Sequence, residues 1–335
     1  MSTTTPLPRR LQPGATIGIC APSGFITEPG SLEIATLYLT EQGYRVVVAP
    51  HANDRWEYFA GTDFDRLNDF NALIQNPEID MIMAARGGYG ITRLLPGLDF
   101  EAIARSGKVI VGFSDLTALH LALLAQTGMV SFAGPMACPD FGHYQRSALH
   151  AIHFDQMLQS ETHDTPSIKM PFSASDGEAG RLLRSQVDSG IEGTLWGGNL
   201  SLVTHLAGTP YMPYLEGGIL FLEEVNEEPY KIERMLLQLL HAGILQKQRA
   251  ILLGQFNRCE PTSASAASYT LKSVIDFLKG WVHTPVLQNL PFGHVRDKIT
   301  LPVGGHVKIT MLDERHYQLR LSHYNALQTQ KAPLR

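Results

Sequence analysis

The chain has 335 residues, 44% of them hydrophobic and 18% charged, with a formal net charge of −5. That length exceeds what one core usually serves, so two domains are expected, while the mild acidity gives no electrostatic reason to expect nucleic acid. Cys20, Cys138 and Cys259 lie too far apart for a C-x-x-C pair or a disulfide framework, and no run reaches the ~18 apolar residues that span a bilayer; a cytoplasmic protein without membrane contact is expected.

From Thr16 to about His153 the pattern alternates between strand and helix. Ile17–Ala21, Tyr44–Ala49, Ile79–Ala84 and Lys108–Gly112 read as strands; Leu32–Gln42, Asp65–Gln75 and Leu116–Ala125 read as helices. Alternation of this kind implies a Rossmann-like parallel sheet covered on both faces, with ligands at the carboxyl ends of its strands. This first domain is drawn over residues 11–163. Three loops stand at that edge: Ala21-Pro-Ser-Gly24, Arg86-Gly-Gly-Tyr-Gly90 and Gly112-Phe-Ser-Asp115. Residues 164–180 turn to Thr, Pro, Ser, Asp and Gly and read as a linker. A second domain follows over 181–325. Its strands are Gly218–Glu223, Ala250–Gly254 and Val307–Met311, and its helix Tyr230–Ala242 has Ile232, Met235, Leu236, Leu239 and Leu240 on one stripe, with Gly243 placed to end it. The polar tail after His323 is expected to fray.

Ser114 sits on a strand-to-helix turn, the place where a nucleophilic hydroxyl is presented beside a helix's free N–H groups. Gly112-Phe-Ser-Asp-Leu116 lacks the second glycine of G-x-S-x-G, and a simple helix cap is the competing reading. Glu223 closes an apolar strand and is suited to orient a histidine; spacing leaves Glu224 open for that part, strand termination favouring the first. His294, in Leu290-Pro-Phe-Gly-His294, completes a Ser, acid, His order. In Arg86-Gly-Gly-Tyr-Gly90 the paired glycines permit close backbone approach, so an N–H of Gly87 or Gly88 can join that of Asp115 in an oxyanion hole; a plain tight turn is the alternative. His150, His153 and Asp155 lack the H-E-x-x-H pattern and are expected on an exposed helix, with no metal. Trp196-Gly-Gly-Asn199 reads as either a ligand-facing loop or a packed corner.

Together, Arg86-Gly-Gly-Tyr-Gly90, Gly112-Phe-Ser-Asp115, Leu195-Trp-Gly-Gly-Asn-Leu200, Leu222-Glu-Glu224, Glu228-Pro-Tyr230 and Phe292-Gly-His294 resemble the LD-carboxypeptidases, serine peptidases with a Ser-Glu-His triad. Phe59-Ala-Gly-Thr62, Ser131-Phe-Ala-Gly-Pro-Met136 and Gly208-Thr-Pro210 extend the likeness from Ile17 to His306. The resemblance implies Ser114 as nucleophile, Glu223 as the acid orienting the base, His294 as base, and N–H groups near Gly88 and Asp115 for the oxyanion. It also implies an α/β nucleophile domain followed by a mostly β domain carrying the other two members. The departures are Glu224, where the family often has Asp, and an unassigned extension before Leu11.

Within the family the chain looks like the muramoyltetrapeptide carboxypeptidase subgroup. That implies a cofactor-free cytoplasmic enzyme taking terminal D-alanine from a small muropeptide in peptidoglycan recycling. Relatives that cleave peptidyl-nucleotide antibiotics supply one alternative reading, and a non-catalytic ligand-binding module another. Arg86, Arg93, Trp196 and Asn199 are the candidates for holding substrate, and a homodimer is left open.

Overall fold

Thr16–Cys20 (β1), Met81–Ala84 (β3) and Val109–Gly112 (β4) are buried at every position, as parallel strands covered on both faces must be. In the computed structural model, which describes residues 6–160, 168–172, 184–262 and 268–325, they form the middle of a six-stranded sheet. With Arg45–Val48 (β2), Ser131–Ala133 (β5) and Leu301–Val303 (β11) the order is β11-β5-β4-β3-β1-β2. Every pairing is parallel except that of β11 with β5. The chain reverses its direction of travel between β1 and β3, so the loops after β1, β3 and β4 converge at one edge, where such sheets take ligands.

Helices Ser31–Glu41 (α1), Asp63–Gln75 (α2), Ile91–Leu94 (α3), Phe100–Ser106 (α4), Thr117–Thr127 (α5) and Ala148–Gln159 (α6) belong to this half. Helix α2 starts on a capping box in which Thr62 and Asp65 satisfy each other's backbone N–H groups. Helix α5 shows no apolar stripe, because every residue from Thr117 to Leu123 is buried. It packs beneath the second half of the molecule.

The second sheet has seven strands. Val286–Leu287 (β10), Ala250–Asn257 (β9), Ile219–Val225 (β8) and Ile191–Asn199 (β7) are parallel to one another. His306–Asp313 (β12), His316–Ser322 (β13) and Ile168–Pro171 (β6) continue it as antiparallel strands. The helix Pro229–His241 buries Ile232, Leu236, Leu239 and Leu240. It ends as the stripe predicts: Gly243 has φ +72°, its N–H reaches Leu240 O, and that of Ile244 reaches Leu239 O, a Schellman motif.

Several expectations need correction. Of the span read as a linker, only residues 168–172 are described, and Ile168–Pro171 is an edge strand paired with β13. Strand β11 leaves the second half and joins the first sheet. Glu223 does not close β8, which runs on to Val225. Beyond His323, Tyr324 and Asn325 are buried rather than frayed, and the rest of the tail lies outside the described residues. Residues 6–10, ahead of Leu11, are tied down as well, Arg9 N donating to Gly107 O and Val130 N to Pro6 O. Finally, α6 is not solvated on its histidine face: His150 is 2% exposed and His153 9%.

Candidate active site

Ser114 follows β4 and has φ +62°, a left-handed conformation that side chains with a Cβ rarely adopt. A simple helix cap needs no such strain; a nucleophile elbow does. The turn is held from below by His120 of α5, whose Nε2 donates to Gly112 O at 2.8 Å while Nδ1 accepts from Ser131 Oγ at 2.9 Å. Burial pushes the His120 imidazolium down to about 4, so the ring is neutral and the tautomer follows from the carbonyl it meets.

Glu223 and His294 are brought together by an irregularity between β8 and β9. The register shifts after Leu222, leaving an extra β9 residue opposite Glu223. There Gln255 N donates to Phe292 O at 2.8 Å, and Leu290 N to Leu253 O at 3.2 Å, which lays the histidine loop along the strand. Gly254 and Gly293 permit this contact: a Cβ on Gly254 would stand 2.5 Å from Phe292 O, and one on Gly293 3.0 Å from Gln255 O.

The resulting geometry is a relay. His294 Nδ1 lies 2.8 Å from Glu223 Oε2 and Nε2 lies 3.1 Å from Ser114 Oγ. Glu223 is fully buried, and its second oxygen, Oε1, has no hydrogen-bond partner among the described residues. A carboxylate in that position favours a proton on Nδ1 and leaves Nε2 as an acceptor aimed at the hydroxyl. Phe113 packs on the imidazole, ring centroids 5.0 Å apart, and fixes its plane. Glu224 points elsewhere: its carboxylate accepts from Asn199 Nδ2, Ser201 N, Ser201 Oγ and Val225 N. The choice that spacing left open therefore falls on Glu223 as the carboxylate facing the histidine.

The glycine loop stands against the hydroxyl. A Cβ on Gly87 would lie 3.0 Å from Ser114 Cβ and 3.2 Å from its Oγ, so backbone alone fits there. Gly88 follows at φ +106°. The side chain of Asp115, next to Ser114, braces this edge: Oδ2 accepts from Ser23 Oγ at 2.6 Å and from Ile91 N at 2.9 Å. One carboxylate thus links the loops after β1, β3 and β4. Burial raises its pKa, and those two hydrogen bonds oppose the rise. This brace is a contact between distant loops, which no local spacing around Asp115 signals.

Other candidates prove structural. Trp196 is fully buried with Nε1 donating to Gln248 Oε1 at 2.8 Å, so it faces the core and no ligand. Asn199 is 4% exposed and caps the helix Leu200–Leu206 while serving Glu224. Arg86 donates to Phe25 O at 2.6 Å, and Arg93 pairs with Asp63 at 2.7 Å. His150 and His153 are buried beside Asp140 and Thr300 N. Among the described residues no three His, Cys, Asp or Glu side chains converge to hold a metal, and no helix is long and apolar enough to cross a membrane.

Residues 17–134 match the LD-carboxypeptidase N-terminal domain and 192–309 the LD-carboxypeptidase C-terminal domain. A Bacillus subtilis protein named a probable murein peptide carboxypeptidase is 34% identical over 89% of this chain and 89% of its own. The microcin C7 self-immunity protein MccF of Escherichia coli is 31% identical over 80% of this chain and 81% of its own. The crystal structure of muramoyltetrapeptide carboxypeptidase from Oxalobacter formigenes superposes with a TM-score of 0.83 at 40% identity, covering 93% of this chain and all of the other. With both domains matched in order across most of the chain, the protein belongs to the LD-carboxypeptidase family.

Proposed function

We propose that this peptidase is a serine carboxypeptidase that releases the terminal D-alanine of muropeptide tetrapeptides, acting in the cytoplasm on recycled peptidoglycan fragments. The observation that carries the reading is His294 standing between Ser114 Oγ and the buried Glu223. His294 Nε2 takes the hydroxyl proton as Oγ attacks the amide carbonyl, and Glu223 stabilises the imidazolium that forms. The oxyanion is held by backbone N–H groups near Gly88 and Asp115. The imidazolium then gives its proton to the departing amine, and a water, deprotonated by the same ring, hydrolyses the acyl-enzyme.

The relatives named for murein peptides support this substrate class, and three buried free cysteines suit a reducing compartment. Incubation with a muropeptide tetrapeptide followed by mass spectrometry tests it: the product lacks one D-alanine. An unchanged tetrapeptide, alongside hydrolysis of a peptidyl-nucleotide, would replace this substrate with that of the self-immunity relative.

A further inference from the structure

An enzyme that releases a terminal amino acid has to hold a free carboxylate; of the arginines beside the glycine loop, Arg93 pairs with Asp63, and Arg86 is half-buried against Gly24 and Gly88 with a short 2.6 Å bond to Phe25 O. On the side of the base lies a cavity of about 400 Å³ whose wall includes His294, Phe113, His150, Arg258, Arg296 and Lys298. Its charges are unequal. Lys298 is buried and neutralised by Asp140, and Asp297 is turned away to accept from Ser147 Oγ. Arg258 and Arg296 are exposed, and among the described residues neither guanidinium meets a carboxylate; Arg296 donates only to Arg146 O, at 3.3 Å. Arg258 also has φ +54°, a strained backbone of the kind that clusters at ligand sites.

We propose that Arg258 and Arg296 form the subsite for the terminal carboxylate of the released amino acid, an inference that rests on Ser114, Glu223 and His294 working as a hydrolytic triad. The leaving amine must come within about 3 Å of His294 Nε2 to receive its proton. In an α-amino acid the carboxyl carbon is two bonds, roughly 2.5 Å, from that nitrogen. The carboxylate therefore falls within about 6 Å of the imidazole. That reach enters the cavity of which His294 is a wall. Guanidinium groups suit the task, since their planar forks match a carboxylate and stay charged at every working pH.

The test compares a tetrapeptide ending in a free carboxylate with the same peptide ending in a carboxamide. Wild-type enzyme is expected to favour the acid by about 10²-fold in kcat/KM. Arg258→Gln or Arg296→Gln is expected to lower kcat/KM on the acid by roughly 10- to 100-fold and to leave the amide within about twofold. Arg258→Lys, which keeps the charge and loses the fork, should fall between. Labelling of Ser114 by a fluorophosphonate, which carries no carboxylate, should run at the wild-type rate in every variant. Normal labelling with the acid preference intact in both glutamine variants and in their double overturns the subsite alone. Wild-type labelling without turnover of either peptide overturns the substrate reading and the subsite together, and absence of labelling in the folded wild type overturns the triad.

Discussion

His294 Nε2 lies 3.1 Å from Ser114 Oγ although the two residues are 180 positions apart in the chain. Ser114 is held at φ +62° to make that contact, and among the described residues its Oγ hydrogen-bonds to no other side chain. Ser114→Ala is expected to lower kcat by about 10⁴-fold or more with the fold intact. Ser114→Gly should be equally inactive yet more stable by up to about 1 kcal/mol, because glycine adopts this conformation without strain. Thermal unfolding beside turnover checks both; a less stable glycine variant would count against the strained elbow.

The adjacent carboxylates should separate cleanly. Glu223→Gln is expected to lower kcat by about 10²- to 10⁴-fold with little change in unfolding midpoint, since it keeps the shape and removes the charge that stabilises the imidazolium. Glu224→Ala leaves the donors of Asn199, Ser201 and Val225 without their shared acceptor and should cost about 3 kcal/mol of stability or more. Urea unfolding and steady-state kinetics on the pair give the answer, and the opposite pattern would move the orienting role to Glu224.

Gly87 has an ordinary backbone conformation, so the cost of Gly87→Ala comes from contact alone. The new methyl would stand 3.2 Å from Ser114 Oγ and push it off line with His294. A drop in kcat of about 10²-fold, with fluorophosphonate labelling slowed in proportion, is expected. Unchanged labelling would mean that the loop stands farther from the hydroxyl.

His120 links stability to pH. Its folded-state pKa of about 4 lies below that of an unfolded imidazole, ~6.5, so folding is favoured by the neutral ring. That contribution is complete above pH ~6.5 and disappears as pH falls towards 4, where the unfolded chain has taken up a proton that the folded one refuses. Asp115 and Glu224, whose pKa values burial raises, act in the opposite sense, so the comparison is made against His120→Gln. The stability gap between wild type and variant should narrow by about 3 kcal/mol from pH 7 to pH 4. A constant gap across that range would show that the ring protonates in place.

What the sequence made legible was local. The buried β4 run, the turn at Ser114, the stripe ending at Gly243 and the glycine loop each carry their signal within a few neighbours. The misread positions depend on distant partners. Trp196 is turned inward by Gln248, and Asn199 is occupied by Glu224. His153 is buried because Thr300 N comes back to meet its Nδ1 at 3.1 Å. Strand β11 is too short for a period to be seen, and Pro302 in its centre argues against a strand until its edge position is known. Arg258 and Arg296 give no sequence signal, since two exposed arginines become a pair only through the cavity they share.

The return of Leu301–Val303 to pair with β5 has a mechanical consequence. The segment bearing the imidazole is clamped at Leu290 to one sheet and at Leu301 to the other, so the two halves are latched across the reaction centre. Gaping apart would tear out the very histidine that the chemistry needs. Admission of substrate and escape of product are then expected through the cavity that His294 borders, without any separation of the two halves.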